Sequence, residues 1–206
     1  RYKGAPPLPK PSGPVSIRIG GGFEQWRNVR PEYRDHVGET IPRDFDGAAG
    51  LHYSNHTGRN DLVVAKVALD SQNIYFYMRT REPITPPSDP NWMWLLIDAD
   101  RNPRTGWQGC DFIVNRTIEG KDTTWLEKNE GDWKWSRTAK VSFRVRGREL
   151  HLAIPRAAIG LADPSATPTF DFKWVDNMQK PGDVLDFYLS GDTAPEGRFM
   201  FRFAAP

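Results

Sequence analysis

Residues 141–154, VSFRVRGRELHLAI, carry the clearest local signal in the chain. Val141, Phe143 and Val145 alternate with Ser142, Arg144 and Arg146, the period of two expected of a strand with one buried face. Arg146-Gly147-Arg148 is a tight turn, and Glu149–Ile154 is a second strand-length run, so the stretch predicts a β-hairpin. The same punctuation extends in both directions. Strand-like runs are expected at Val15–Ile19, Leu62–Leu69, Ile74–Thr80, Trp92–Ile97, Asp111–Arg116, Thr123–Leu126 and Trp133–Arg137. Further runs follow at Phe170–Val175, Leu185–Leu189 and Phe199–Phe203. Asp70-Ser71-Gln72-Asn73 and Glu130-Gly131-Asp132 supply turns. Pro155–Leu161 is the one short helix expected, with Pro at its first turn and Gly160 near its end. About ten to twelve short strands predict an all-β, two-sheet antiparallel β-sandwich of jelly-roll-like form.

A chain of 206 residues fits one sandwich domain. Residues 1–14, RYKGAPPLPKPSGP, read as a Pro-rich linker from a preceding domain, and residues 15–206 as the folded module. The formal charge is +2, with both signs interspersed and no basic stripe, so nucleic acid is not an expected partner. No stretch reaches the roughly 18 apolar residues of a membrane span. The single Cys110 excludes an internal disulfide and reads as a small buried residue. Eight Trp in a polar chain exceed ordinary core needs, and flat indole faces suit stacking on sugar rings.

Strand parity assigns faces. Ile74, Phe76, Met78, Met93, Leu95, Ile97, Phe112, Val114, Phe170, Phe172 and Trp174 take the core. The opposite faces then carry Tyr77, Arg79, Trp92, Trp94, Asp111, Asn115 and Lys173, a mixture of aromatic rings and planar polar groups that matches the C–H faces and hydroxyls of a sugar. These seven are the expected ligand-binding residues; no catalytic residue is expected. Cover of both Trp by the 31–60 loop or by Trp107 is the alternative. Trp125, Trp133 and Trp135 form a lesser aromatic group. Asp98, Asp100 and Asn102 alternate along the loop 98–106, a spacing that suits Ca²⁺ in a structural role. His36, His52, His56 and His151 are scattered, and Met78 and Met93 have core parity, which argues against haem. Asp111 and Asp176 offer a carboxylate pair of the kind glycoside hydrolysis needs, a pairing that frequent Asp and Glu also produce by chance.

An ordered set of motifs resembles the family 9 carbohydrate-binding modules of the DOMON-like group: Gly21-Gly22-Phe23-Glu24-Gln25-Trp26, Val64-Ala65-Lys66-Val67, Asn73-Ile74-Tyr75-Phe76-Tyr77 with Arg81-Glu82-Pro83, Trp94-Leu95-Leu96-Ile97-Asp98, Thr105-Gly106, Asp111-Phe112-Ile113-Val114-Asn115 and Phe172-Lys173-Trp174-Val175-Asp176. The resemblance covers nearly all of residues 15–203. It implies a secreted, monomeric, non-catalytic sugar-binding sandwich, covalently attached to a polysaccharide-degrading enzyme, often with structural calcium. Asn115 matches an Asn of the family that bonds sugar hydroxyls. Lys173 stands where the family has a sugar-contacting Gln, Trp94 replaces a contacting Glu, Ile113 replaces a binding Arg, and Ser190–Pro195 lacks the family's second stacking Trp. The competing expectations are a sandwich-fold glycosidase or lyase, and a structural interdomain spacer.

Overall fold

A computed structural model describes residues 10–206, so the first nine residues of the expected linker lie outside it. The elements are β1 (Tyr33–Arg34), β2 (Arg43–Asp46), β3 (His52–Asn55), β4 (Leu62–Leu69), β5 (Asn73–Thr80), β6 (Trp94–Asp98), β7 (Phe112–Ile118) and β8 (Thr123–Asn129). They continue with β9 (Trp135–Arg146), β10 (Glu149–Pro155), β11 (Thr169–Asp176), the one-turn helix α1 (Asp186–Leu189), β12 (Asp192–Ala194) and β13 (Phe201–Ala204). Eleven strands join in the order β1-β4-β5-β10-β9-β8-β7-β6-β11-β12, with β13 also on β11; β2 and β3 form a separate hairpin.

The continuous ladder makes two layers because β9 serves both. Its Ser142–Arg146 half pairs with β10, while its Trp135–Ser142 half pairs with β8. The register shift at Leu126/Glu127 adds the local twist that turns the strand from one layer to the other. Between the layers, Ile74, Phe76 and Met78 face Leu95, Ile97, Val114, Phe170, Phe172 and Trp174 in one apolar core, as parity requires. The 141–154 hairpin forms as expected, with Leu152 opposite Phe143. The chain is therefore an all-β sandwich.

Four expected features differ. Trp133–Arg137 and Val141–Arg146 are one strand, β9. Leu185–Leu189 is largely the helical turn α1, because Asp183 accepts the Leu185 N–H at 3.0 Å and Asp186 accepts the N–H groups of Gln179 and Lys180 at 2.7 and 2.9 Å. Val15–Ile19 runs extended but outside the ladder, joined to β4 by Val15 N–H to Leu69 O at 2.8 Å. The short helix expected near residue 156 is a 3-10 turn, Arg156–Ile159, closed by Gly160 at φ 74°.

Both outer faces are covered by the chain itself. Ile17, Phe23, Trp26 and Val29 lie over Ala68, Tyr75 and Tyr77 on one layer. His151 fastens this cover: its Nδ1 accepts from Trp26 Nε1 at 3.0 Å and its Nε2 donates to Ile19 O at 2.9 Å. That pattern needs a neutral imidazole, and burial holds its pKa below the usual value. A depressed folded-state pKa makes this contribution complete above about pH 6.5 and lost as pH falls through the folded value. Wild type is therefore expected to lose more Tm than His151→Gln between about pH 7 and 5. Parallel pH profiles for the two proteins would refute the fastening role.

Candidate functional site

The seven residues expected to bind ligand do not form one surface. Tyr77 and Arg79 are on β5, with Tyr77 buried under Trp26 and donating to Glu149 at 2.7 Å; Arg79 alone of the seven is exposed. Trp94 and Lys173 are on the outer face of the other layer. Trp94 is 3% exposed because Trp133 lies over it, at a centroid separation of 5.5 Å, with Trp107 against Trp133 at 4.5 Å and Phe187 beyond. Trp135 packs edge-on to Trp133 and completes the lid. Lys173 is wholly buried, its ammonium donating to Pro195 O and standing 5.3 Å from the Phe187 ring. Burial pushes its pKa down to about 7.

Trp92 is not on an outer face at all. Met93 has φ 44°, which breaks the alternation and turns both Trp92 and Met93 into the core. The Trp92 indole donates to Thr85 O at 2.8 Å and packs on Phe143. Asn115, itself at φ 68° beside an irregularity in the β7–β8 pairing, spends its amide on Met93 O at 2.7 Å. The expected sugar contacts of Trp92, Trp94, Asn115 and Lys173 are thus packing and main-chain support.

Asp111 lies in an acidic group with Asp98 and Asp100, whose ligand oxygens come within 4.8 Å of one another. Asn102, the third residue expected there, uses its Oδ1 to accept from Arg104 N–H at 3.1 Å in a tight turn. Asp111 and Asp176 do not approach as a catalytic pair. Asp98, beside Asp111, pairs with Asp171, whereas Asp176 lies beyond the Val175–Trp94 pair at the other end of β11. Asp176 is fully buried, accepting from Arg59 Nε and Met93 N–H, both at 2.9 Å.

An accessible hollow lies elsewhere. A cleft of about 390 Å³ opens between the β2–β3 hairpin and the α1–β12 segment, lined by Glu39, Ile41, Arg43, Phe45, Tyr53, Phe187, Tyr188, Gly191, Asp192, Thr193 and Glu196. On β2, Arg43 and Phe45 share a face, leaving Asp44 and Asp46 to bracket His52, each at 2.7 Å from one ring nitrogen. Phe45 pairs with Tyr53 across the hairpin, and their rings stack at 5.3 Å and 16°. Phe45 is 55% exposed and Tyr188 42%. Gly191 turns the floor at φ 62°; a Cβ there would stand 2.0 Å from Asp176 O, so only glycine fits. Its carbonyl accepts from Asn55 at 3.3 Å, tying hairpin to floor.

Asp192, Asp35 and Glu39 converge at the base of this cleft, with ligand oxygens within 4.8 Å of one another. Burial, reinforced by neighbouring carboxylates, pushes Glu39 up to about 8 and Asp192 up to about 7. Sequence reasoning missed this region because residues 31–60 read as a loop. The alternation of Arg43-Asp44-Phe45-Asp46 and His52-Tyr53-Ser54-Asn55 around Gly47 and Gly50 was the available signal. Comparison with known protein families and with curated proteins finds no matching family model and no matching protein.

Proposed function

We propose that the chain is a non-catalytic carbohydrate-binding module, an accessory domain of a secreted polysaccharide-degrading enzyme, with its sugar in the cleft between β2–β3 and α1. The observation that carries this is the stacked Phe45–Tyr53 pair, Phe45 exposed and Tyr53 half-buried, in one cleft with Tyr188, Arg43, Glu196 and Thr193. A pyranose presents apolar C–H faces to rings of this kind and hydroxyls to a guanidinium, carboxylate or hydroxyl. The family 9 resemblance supports the ligand class, while the seven outer-face residues expected from parity no longer supply the site. The calcium that the resemblance implies would be held by Asp98, Asp100 and Asp111. Asp98 and Asp111 each spend one oxygen on a loop N–H, of Arg101 and Ala99, and offer the other, while Asp100 accepts from Asn102 N–H and from the Thr105 hydroxyl. Among the described residues no helix is long and apolar enough to cross a membrane. Closure of Trp94 beneath the chain's own Trp107 and Trp133 argues against a spacer that buries that face on a partner domain.

Affinity electrophoresis in gels containing soluble polysaccharides tests the proposal. Tyr53→Ala and Phe45→Ala should each weaken retention by about fivefold, as loss of a stacking ring worth roughly 1 kcal/mol implies. Their Tm should stay within a few degrees, because Phe45 projects into solvent and Tyr53 is only half-buried on a separate hairpin. Undiminished retention in the double variant would sink the cleft as the sugar site. Release of reducing sugar by the isolated chain would favour the glycosidase alternative.

A further inference from the structure

We infer that the base of the cleft is a divalent-cation site of the calcium class, formed by Asp35, Glu39 and Asp192 with Asp61 and Thr40 around them, distinct from the acidic loop 98–111. The three carboxylates offer ligand oxygens within 4.8 Å of one another. Two oxygens on opposite sides of one Ca²⁺, each at 2.3–2.6 Å, stand about 5 Å apart, so one ion spans this set.

The independent sign is a set of orphaned buried oxygens. Asp61 and Thr40 are 5% and 6% exposed. Asp61 Oδ1 has no hydrogen-bond partner among the described residues, nor do Asp35 Oδ2 and Glu39 Oε1, whereas the Thr40 hydroxyl is turned to the Asp192 carboxylate. Thr40 faces the Asp192 carboxylate, and the Asp61 charge acts on both Glu39 and Asp192. Buried polar oxygens are ordinarily bonded, and three orphaned carboxylate oxygens around one acidic point mark a missing partner. A divalent cation would fill that place and offset the repulsion of the crowded carboxylates, which otherwise raises their pKa values.

Among the described residues, the nearby Lys and Arg side chains are spent elsewhere. Lys173 spends its ammonium on Pro195 O. Arg43 directs its terminal nitrogens at the carbonyls of Glu39 and Gly191, at 3.4 and 3.5 Å. Arg81 reaches only Asp61 Oδ2, at 3.8 Å, and Glu196 adds a further negative charge nearby. All ligands are hard oxygens, with no His or Cys among them, which selects Ca²⁺ over zinc or copper.

The site links separate parts of the chain. Asp35, Glu39 and Thr40 follow β1, Asp61 precedes β4, and Asp192 opens β12, where its Oδ2 also accepts Leu62 N–H at 2.6 Å. An ion here anchors both ends of the segment that carries the β2–β3 hairpin, and so sets the position of Phe45 and Tyr53. The effect on sugar retention rests on the proposed function; the ion binding does not.

The test is thermal unfolding of the EDTA-treated protein with and without CaCl₂. At calcium a hundred times its Kd, Tm should rise on the order of 5–10 °C. Glu39→Gln, whose Oε1 has no partner to lose, should melt at or above the metal-free wild type and lose most of that rise. Asp35→Asn serves as a second variant with the same expectation. Asp98→Asn/Asp100→Asn should retain the rise. A wild-type Tm unmoved by about 10 mM calcium, roughly tenfold above the weakest extracellular sites, would overturn the inference. So would a rise that survives Glu39→Gln and disappears with Asp98→Asn/Asp100→Asn. Tyr53→Ala with normal calcium response and unchanged sugar retention would fail the cleft reading alone.

Discussion

Asp176→Ala is expected to lower Tm by roughly 6–12 °C, on about 3 kcal/mol of lost stability and 2–4 °C per kcal/mol for a chain of this size. Asp176 has no exposure and holds two things together: the Arg59 guanidinium at 2.9 Å and the Met93 N–H at 2.9 Å. Met93 sits at φ 44°, a conformation that costs on the order of 1–3 kcal/mol and persists only because its neighbours fix it. Asn115 fixes the carbonyl side, at 2.7 Å, and Asp176 the amide side. Burial pushes the Asp176 carboxyl up to about 6 even though Arg59 pulls it down, so desolvation outweighs the attraction of the pair. The loss on truncation therefore comes from what is left behind: a buried guanidinium missing one partner, and an orphaned N–H on a strained residue. Arg59 keeps Asp89 at 3.2 Å and Pro90 O at 2.6 Å, which limits the damage. Asp176→Asn should fall between the two proteins, since it preserves an acceptor for Met93 but not the charge. A Tm change of under about 2 °C in Asp176→Ala, equivalent to less than 1 kcal/mol, would show that the strain at Met93 is held by something else.

The layers and their facing residues were legible in the chain because they follow from a local rule, the period of two. Ile74, Phe76, Met78, Leu95, Ile97, Phe170, Phe172 and Trp174 all meet where parity sends them. Parity also placed Tyr77, Trp94 and Lys173 correctly on outer faces, yet it carries no information about what lies above a face. The covers over those residues come from Phe23 and Trp26 on one side and from Trp107, Trp133 and Phe187 on the other, all distant in sequence from the strands they shield. The Trp surplus was a real signal with a different meaning: much of it builds a third layer. At Trp92 the local rule failed outright, since the left-handed residue Met93 inverts the face of the one residue before it in that run. The acidic base of the cleft was the least legible feature. Asp35, Glu39, Asp61 and Asp192 are unremarkable singly and meet only because β1, β4 and β12 bring three separate loops to one end of the sandwich.

Trp94→Ala separates stacking on sugar from stacking on protein more sharply than any other substitution in the chain. An exposed sugar platform loses retention without losing stability. A buried indole loses stability, and Trp→Ala in a core costs about 3–5 kcal/mol through lost transfer energy and the cavity left behind. Trp94 is 3% exposed, lies on Leu96, Ile113 and Val175, and supports Trp133, which in turn holds Trp107 and Trp135. Removing it undercuts the whole lid, so the upper half of that range applies, and Tm should drop by roughly 8–15 °C. Trp94→Phe keeps most of the volume and an aromatic edge for Trp133, and should recover a large part of the loss. Near-ultraviolet circular dichroism would show the Trp couplet changing in Trp94→Ala and staying unchanged in Tyr53→Ala. Below its Tm, Trp94→Ala should still migrate as retarded protein in polysaccharide gels, because the β2–β3 cleft does not use the indole. A stable Trp94→Ala that loses retention would instead put the sugar beneath Trp133, and would require the lid of Trp107, Trp133 and Phe187 to open for it.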